Sequence, residues 1–288
     1  MENLKFSIII PVYNEQEVIV NVLTNLKQYC NENFSNQYEI IAIDDGSTDQ
    51  TADILKNLDG IKVISHPYNK GYGASVKSGV SASTFDWILV FDSDGQHRQQ
   101  DIKALAEASE NFDMVVGASQ GYQGPLIRQP GKKILHAIAE YLVERNIPDL
   151  NSGLRLIKKK FFLKYAHLLP DGFSWTTTIT LAFFKEGLNV NYVPIEINKR
   201  QGGKSQVKPS DALKLFMLIL RIIMLFSPLR IFLQASGFLF IFSLIFGLID
   251  IIDLNVTDIT IVLWVSTILI FFFGLLADQI ASIRREIK

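Results

Sequence analysis

The sequence has very little cysteine and no excess of either charge. Cys30 is the one cysteine among 288 residues, which excludes an intramolecular disulfide and a cysteine metal cage and agrees with a reducing compartment. The 28 basic and 29 acidic residues leave a net charge of −1, without the basic surplus that nucleic-acid binding needs. Internal repeats and low-complexity segments are also lacking. We therefore expect no nucleic-acid partner, and we expect no signal peptide.

Two long uncharged runs lie near the C-terminal end of the sequence. Residues 231–249 and 259–277 each contain 19 residues without charge. A helix of that length spans about 28 Å at roughly 1.5 Å per residue, close to the thickness of a bilayer core. The link 250–258 is too short for more than a turn. We predict a two-helix transmembrane hairpin over residues 229–288, with two buried helices of a soluble core as the alternative.

Basic residues flank both runs on their outer sides. Arg221 and Arg230 precede the first run, and Arg284 and Arg285 follow the second. Because positive residues collect on the cytoplasmic side, we expect a multi-pass protein of the inner (cytoplasmic) membrane with its N-terminal domain in the cytoplasm. Residues 209–228 are predicted to form an amphipathic helix in the membrane interface, although a linker helix packed on the domain would show the same pattern.

Residues 1–208 alternate between strand patterns and helix patterns. Their order is strand 6–12, helix 16–29, strand 38–43, helix 48–58, strand 61–65, helix 73–81 and strand 87–91. Such alternation predicts an α/β domain with a mostly parallel central sheet. Right-handed crossovers bring the carboxyl ends of the strands to one edge, where ligand residues are expected.

Acidic residues follow three of these strands. Glu15 comes after the first strand, Asp44 and Asp45 after the second, and Asp92 and Asp94 after the fourth. Two carboxylates one residue apart suit Mg²⁺, which commonly takes one or two carboxylates together with substrate phosphates. One such cluster alone is equally typical of a turn or a helix cap. Three clusters at one sheet edge favour a site for a nucleotide sugar.

Five short segments together resemble glycosyltransferase family 2, whose members have the nucleotide-diphospho-sugar transferase fold called GT-A. The resemblance covers about residues 5–210, and its segments are Pro11-Val12-Tyr13-Asn14-Glu15, Asp44-Asp45-Gly46-Ser47-Thr48-Asp49, Asn69-Lys70-Gly71-Tyr72-Gly73, Asp92-Ser93-Asp94-Gly95-Gln96-His97 and Asn151-Ser152-Gly153-Leu154-Arg155. Within the family the sequence is most similar to dolichyl-phosphate mannosyltransferases and bacterial polyprenyl-phosphate glycosyltransferases. Those enzymes also carry a segment like Arg200-Gln201-Gly202-Gly203-Lys204-Ser205 and a membrane-bound C-terminus.

The resemblance implies where the donor and the metal bind. Asp92 and Asp94 would hold Mg²⁺ or Mn²⁺ and the diphosphate, with Ser93 and Gln96 beside them. By its closeness to the Asp pair in the sequence, and not by the resemblance, His97 would be a third metal ligand, a contact to the leaving group or an exposed loop residue. The base and ribose pocket would be lined by Pro11, Tyr13, Glu15, Ile43 and Asp45.

The resemblance also implies which basic residues neutralise phosphate charge. Arg200, Lys204 and Ser205 would close over the donor diphosphate, because an arginine fork and an ammonium group both pair with phosphate oxygens. Apart from the resemblance, an acceptor phosphate beside the donor diphosphate needs its own positive charge, and Arg128 and Arg155 are the candidates; a solvated surface charge is the alternative for each.

A phosphate acceptor in the membrane simplifies the predicted chemistry. A phosphate monoester is largely dianionic at neutral pH, so it can attack an anomeric carbon without a general base. We predict inverting transfer of a sugar from a nucleotide-diphospho-sugar to a polyprenyl (undecaprenyl or dolichyl) phosphate at the cytoplasmic membrane face. Further partners would be the lipid bilayer, a flippase that moves the product and a second copy of the chain.

Other functions fit parts of the sequence. A membrane glycosyltransferase that adds sugar to a glycan or another lipid would need a carboxylate base for a hydroxyl acceptor and usually has a Gln-x-x-Arg-Trp motif, which is absent. A non-catalytic scaffold would be expected to have lost an acidic cluster, and a nucleotidyltransferase would not explain the hairpin.

His66 and His136 have no partner at metal-ligand spacing, so we expect both to be structural.

Overall fold

The computed structural model describes residues 4–35, 37–119, 129–198 and 210–286. The chain divides into two compact units, Met1–Pro209 and Ser210–Lys288. Arg128, Arg200, Lys204 and Ser205 lie outside the described residues, so their expected roles stay predictions.

Unit 1 is built on one sheet of seven strands. In chain order they are β1 (Phe6–Val12), β2 (Tyr38–Asp44), β3 (Lys62–Ser65), β4 (Trp87–Val90), β5 (Met114–Ser119), β6 (Arg155–Lys158) and β7 (Val190–Ile195). Their spatial order is β3-β2-β1-β4-β6-β5-β7, and β6 runs antiparallel to both of its neighbours. The other neighbouring pairs are parallel, which confirms the predicted mostly parallel sheet.

Among the described residues of unit 1, seven α-helices accompany the sheet. They are α1 (Ile19–Phe34), α2 (Thr51–Lys56), α3 (Tyr72–Ala82), α4 (Asp101–Glu107), α5 (Gln129–Val143), α6 (Lys159–Tyr165) and α7 (Trp175–Lys185), and a short 3₁₀ turn at Ala166–Leu168 follows α6. Helix α2 begins later than the sequence pattern indicated. The preceding residues form a turn in which the backbone N–H of Thr48 donates to Asn14 Oδ1 at 2.8 Å and that of Thr51 donates to Asp49 Oδ1 at 3.0 Å.

The central strand β1 is buried along its whole length, as expected for a strand covered on both faces. Ile8 and Ile10 join the core cluster that contains Leu23 of α1. Ile9 packs on the other side, against Gly79 of α3, where an added Cβ would lie 2.3 Å from Ile9 Cγ2. Helices therefore cover both faces of the sheet around its central strand.

The strand register brings the acidic segments to one edge. Val12 at the end of β1 is paired with Asp44 at the end of β2, and the N–H of Asp45 donates to the Val12 carbonyl at 2.8 Å. Phe91, directly after β4, donates its N–H to the Ile9 carbonyl at 3.0 Å. The chain segments that follow β1, β2 and β4 consequently leave the sheet side by side.

Unit 2 contains three helices, α8 (Ser210–Phe226), α9 (Pro228–Ile252) and α10 (Asp258–Glu286). By length and composition, α9 and α10 could each cross a membrane. Small and hydroxylated residues lie between these two helices. For example, Ser243 Oγ of α9 is 3.2 Å from Thr267 Oγ1 of α10. Gly274 lets α10 approach closely, since a Cβ there would be 2.5 Å from Phe232 Cβ. The helices extend beyond both predicted 19-residue spans.

Replacing Gly73 with alanine should destabilise unit 1. A Cβ at Gly73 would lie 2.2 Å from the carbonyl oxygen of Pro170 and 3.0 Å from that of Gly172, and backbone atoms cannot rotate away. We expect a loss of about 1–3 kcal/mol in unfolding free energy, seen as a lower midpoint in thermal unfolding of the full chain in detergent. Gly172→Ala is the control, because nothing lies within 4 Å of its added Cβ. An unchanged midpoint for Gly73→Ala would contradict the close approach.

Candidate active site

A cavity of about 600 Å³ opens at the carboxyl edge of the sheet. Its walls come from the segments after β1, β2 and β4, from the start of α3 and from the loops before β6 and α7. The lining residues are Pro11, Val12, Tyr13, Glu15, Asp45, Asn69, Gly71, Tyr72, Ser75, Asp92, Ser93, Asp94, Asn151, Gly153, Gly172, Phe173 and Thr176. The three acidic segments recognised in the sequence therefore share one pocket.

Asp92 is held from two sides. The Tyr72 hydroxyl donates to Asp92 Oδ1 at 2.6 Å, and His97 Nε2 lies 3.1 Å from Asp92 Oδ2. Gly153 packs against the same carboxylate, since a Cβ at that position would be 2.3 Å from Oδ2. These contacts fix the carboxylate at the end of β4.

The surroundings of Asp92 also shift the pKa of its two partners. Burial raises the pKa of Tyr72 well above its ordinary value, and the charge of Asp92 adds to the effect, so the phenol remains a donor. For His97, burial opposes the charged form, but the hydrogen bond and charge of Asp92 outweigh it and raise the pKa. His97 is thus buried beside Asp92, which rules out the exposed-loop alternative.

Asp94 reaches the pocket from the turn after β4. Its Oδ1 accepts the N–H of Gln96 at 3.1 Å, which orients the carboxylate, and its side chain is half-buried. The described part of the chain contains no group of three or more His, Cys, Asp or Glu residues placed to share a metal. The oxygens of Asp92 and Asp94 nevertheless fit Mg²⁺ or Mn²⁺, because these hard cations complete their shell with substrate phosphates and water.

Ser93 lines the pocket and Gln96 does not, but both hold neighbouring chain segments in place. Ser93 Oγ donates to the Pro11 carbonyl at 2.9 Å, which joins the ends of β1 and β4. Gln96 exchanges bonds with Asn198: the N–H of Asn198 donates to the Gln96 carbonyl at 2.9 Å, and Gln96 Nε2 donates to the Asn198 carbonyl at 3.3 Å. Gln96 thus anchors the chain that follows β7.

On the expected nucleotide side, four of the five predicted residues line the pocket: Pro11, Tyr13, Glu15 and Asp45. Ile43 does not. Its side chain is fully buried and packs beneath α3, where the Cβ of an alanine at Gly79 would lie 2.7 Å from Ile43 Cδ1. Residues 43 and 45 fall on the same face of the strand, but Ile43 lies within β2 and is covered by α3, whereas Asp45 lies past the strand end and reaches the pocket.

Arg155 does not reach the pocket either, contrary to the expected acceptor contact. It is completely buried and donates to the Ser152 carbonyl (Nε, 2.7 Å), the Leu150 carbonyl (Nη2, 3.0 Å) and Thr180 Oγ1 (Nη1, 2.6 Å). Its guanidinium also lies 5.8 Å from the centre of the Trp175 ring. Arg155 therefore holds the loop before β6 in place, and three of its N–H donors are bound to protein oxygens.

Two aromatic residues of the pocket were given no individual role from the sequence. Tyr72 lies between the two glycines of the segment Gly71-Tyr72-Gly73 and binds Asp92. Phe173, 81% exposed, stacks on Tyr72 with ring centres 5.2 Å apart. The available signal was the glycine pair around Tyr72, because both glycines pack closely against the backbone of residues 170–172 and leave no room for a Cβ.

The sheet order and the carboxylate pocket at its carboxyl edge are those of the GT-A fold. Glucosyl-3-phosphoglycerate synthase from Mycobacterium tuberculosis, crystallised with Mn²⁺, UDP and glucosyl-3-phosphoglycerate, superposes with a TM-score of 0.57 at 18% identity over 76% of this chain and 79% of that chain. Mannosyl-3-phosphoglycerate synthase from Rubrobacter xylanophilus gives 0.60 at 17% identity over 76% and 72%. Likeness at this level of identity shows the fold.

The chain belongs to glycosyl transferase family 2, whose family model matches residues 7–165. A second model, described as the GtrB C-terminal hairpin, matches residues 227–283. An uncharacterized protein of Methanocaldococcus jannaschii is 28% identical over 66% of this chain and 79% of its own length. Undecaprenyl-phosphate 4-deoxy-4-formamido-L-arabinose transferase of Salmonella choleraesuis is 32% identical over 54% of this chain, and the match covers 49% of that relative.

Changing Asp94 to asparagine should remove most of the turnover while leaving the fold intact. The substitution keeps the side-chain volume but removes the charge that would face the metal and diphosphate. We expect sugar transfer to fall by about 10²–10³-fold, the scale of losing one preorganised electrostatic group. Asp53→Asn on α2 is the matched control, because Asp53 is 82% exposed and outside the pocket. Near-normal transfer by Asp94→Asn, or full wild-type activity in excess chelator, would refute the metal assignment.

Proposed function

We propose that this protein transfers a sugar from a nucleotide-diphospho-sugar to a polyprenyl phosphate, with inversion at the anomeric carbon. One observation carries the proposal: the same chain holds a GT-A pocket with three acidic segments and two helices, α9 and α10, that are long and apolar enough to cross a membrane. A glycosyltransferase that carries its own membrane hairpin works where a lipid-linked acceptor is present. The relative named for undecaprenyl phosphate supports this acceptor class.

The donor is inferred from the pocket and its structural neighbours. Asp92 and Asp94 provide oxygen ligands at one end of the cavity, while Tyr13, Glu15 and Asp45 provide an aromatic ring and two acceptors along its wall. A nucleoside diphosphate has the corresponding parts, a base with ribose and a diphosphate. Structural neighbours have been crystallised with Mn²⁺ and UDP, which supports a divalent metal and a nucleotide-sugar donor.

A phosphate acceptor, which needs no general base, agrees with the hydrogen bonds that Asp92 and Asp45 already accept from the protein. Asp92 accepts bonds from Tyr72 and His97, and Asp45 is engaged by protein donors behind the pocket. A dianionic phosphate needs no deprotonation, so its oxygen attacks the anomeric carbon while the bond to the nucleoside diphosphate breaks. That single displacement inverts the anomeric configuration. The chain's task is to position two anions and offset their repulsion.

The charge that offsets this repulsion has two proposed sources. A divalent cation held by Asp92 and Asp94, when bound, would neutralise the leaving diphosphate. Arg128 is proposed at the acceptor phosphate, and Arg200 and Lys204, with Ser205, at the donor diphosphate. Their residue types suit these tasks, because arginine forks pair with two phosphate oxygens at once.

The membrane arrangement is likewise proposed from sequence and helix character. We infer a catalytic domain (residues 1–208) in the cytoplasm, an interfacial helix (209–228) and a transmembrane hairpin (229–288) in the inner membrane. Helix α8 supports the interfacial part, because it exposes a set of large apolar side chains: Phe216, Met217, Leu220 and Met224. The product would form on the cytoplasmic side, and a separate flippase would move it across.

The product assay distinguishes the proposed acceptor from a hydroxyl acceptor. Membranes containing the full chain, supplied with undecaprenyl phosphate and radiolabelled nucleotide sugars, should yield a lipid-extractable sugar phosphate that is labile to mild acid and carries one sugar. Membranes with Asp94→Asn serve as the control and should give only background. Repeated addition of sugar, or release of a water-soluble oligosaccharide, would favour a glycan-extending enzyme instead.

Cysteine labelling tests the proposed topology. In intact cells a membrane-impermeant maleimide should label Asn255→Cys in the link between α9 and α10, and should label Glu286→Cys only after permeabilisation. The wild-type chain is the control: Cys30 is buried, and desolvation raises the pKa of its thiol to about 12, so it stays unreactive. Labelling of position 286 but not 255 in intact cells would overturn the cytoplasmic placement of the active site.

A further inference from the structure

His66 and Asp45 form a buried pair behind the nucleotide side of the pocket. His66 Nδ1 lies 2.7 Å from Asp45 Oδ1, and both side chains are 5% exposed. On its far side His66 Nε2 lies 2.9 Å from Ser78 Oγ of α3. The sequence alone indicated a structural role for this histidine, whereas the fold attaches it to a residue that lines the cavity.

The hydrogen-bond directions around Asp45 are fixed by its other partners. The backbone N–H of Lys70 donates to Oδ1 at 2.9 Å, and the N–H of Gly71 donates to Oδ2 at 2.8 Å. Because the carboxylate acts as the acceptor for both, the imidazole of His66 donates through Nδ1 as well. Asp45 Oδ1 thus receives two donors.

The number of remaining acceptor positions limits what a ligand can donate. A carboxylate offers about four lone-pair positions, two on each oxygen. Within the described residues, His66 and Lys70 fill the positions on Oδ1, and Gly71 fills one on Oδ2. One position on Oδ2 is therefore left for a ligand, and only a small part of this side chain faces the cavity.

We propose that His66 is a positioning residue that holds Asp45 ready for a single N–H, and thereby selects a nucleoside diphosphate whose base carries one imide N–H, as uracil and thymine do. This inference rests on the proposed nucleotide-sugar donor. Guanine presents two adjacent donors, N1–H and the N2 amino group, that pair best with both oxygens of a carboxylate. With Oδ1 already occupied, one guanine donor would lose its partner on leaving water, which disfavours GDP.

Calorimetric titration of the full chain in detergent with Mg²⁺ tests the inference, using UDP, dTDP and GDP as probes. We expect wild type to bind UDP or dTDP at least about tenfold more tightly than GDP. His66→Ala should weaken binding of the preferred nucleotide about tenfold and reduce the ratio of its affinity to that of GDP. His66→Asn should restore this affinity ratio, because its amide nitrogen replaces Nδ1. His136→Ala is the matched control, since His136 is paired with Glu140 on α5 and does not line the cavity.

Comparison of His66→Asn with a further variant, His66→Gln, guards against misfolding of His66→Ala. Asn keeps a donor at the Nδ1 position, whereas His66→Gln moves it one carbon farther, so the preference should persist in the first and weaken in the second. Equal affinity of wild type for UDP and GDP, or an unchanged preference in folded His66→Ala and His66→Gln, would overturn the inference. A preserved UDP preference without any lipid-linked product would instead refute the proposed acceptor, which keeps the two failures distinct.

Discussion

The parallel pairing of β1 with both β2 and β4 is the constraint on which the site depends. The register places Val12 beside Asp44, and the Asp45 N–H continues the ladder by donating to the Val12 carbonyl. Ser93 joins the third segment through the Pro11 carbonyl. The hydrogen bonds between neighbouring strands join backbone groups regardless of side chain, so three acidic segments distant in sequence end within one cavity.

Close backbone approach then shapes that cavity. Gly71 has a φ of +106°, a conformation that favours glycine. A Cβ at this position would also lie only 2.5 Å from the carbonyl oxygen of Asp171, so its absence makes room for that group. Gly153 gives the Asp92 carboxylate similar room. The two carboxylates that matter most are thus held differently: Asp92 by side chains from other segments, and Asp45 by a buried histidine and two backbone N–H groups. Preorganised acceptors of this kind lose little freedom when a substrate binds.

Unit 2 follows a different physical rule from unit 1. Its two long helices carry large apolar side chains on the outside, and most of the residues buried in them are small or hydroxylated, such as Ser243 and Thr267. Helices in a lipid environment gain little from hiding apolar surface, so close packing through small residues takes over. Arg285 near the end of α10 donates to the Leu225 carbonyl at 2.8 Å, which ties that helix to the end of α8.

The sequence by itself determined the alternating α/β pattern, the two uncharged spans and the acidic segments after the strands, because these depend on local periodicity and on charge. It also predicted that Asp45, Asp92 and Asp94 meet at one edge of the sheet, since short apolar runs indicate where the strands end. Only the tertiary structure decided what Arg155, Ile43 and His66 do. A charge, an isoleucine or a histidine has the same local pattern whether it faces a ligand or a neighbouring segment, and the partners that distinguish these cases are brought near only by long-range packing.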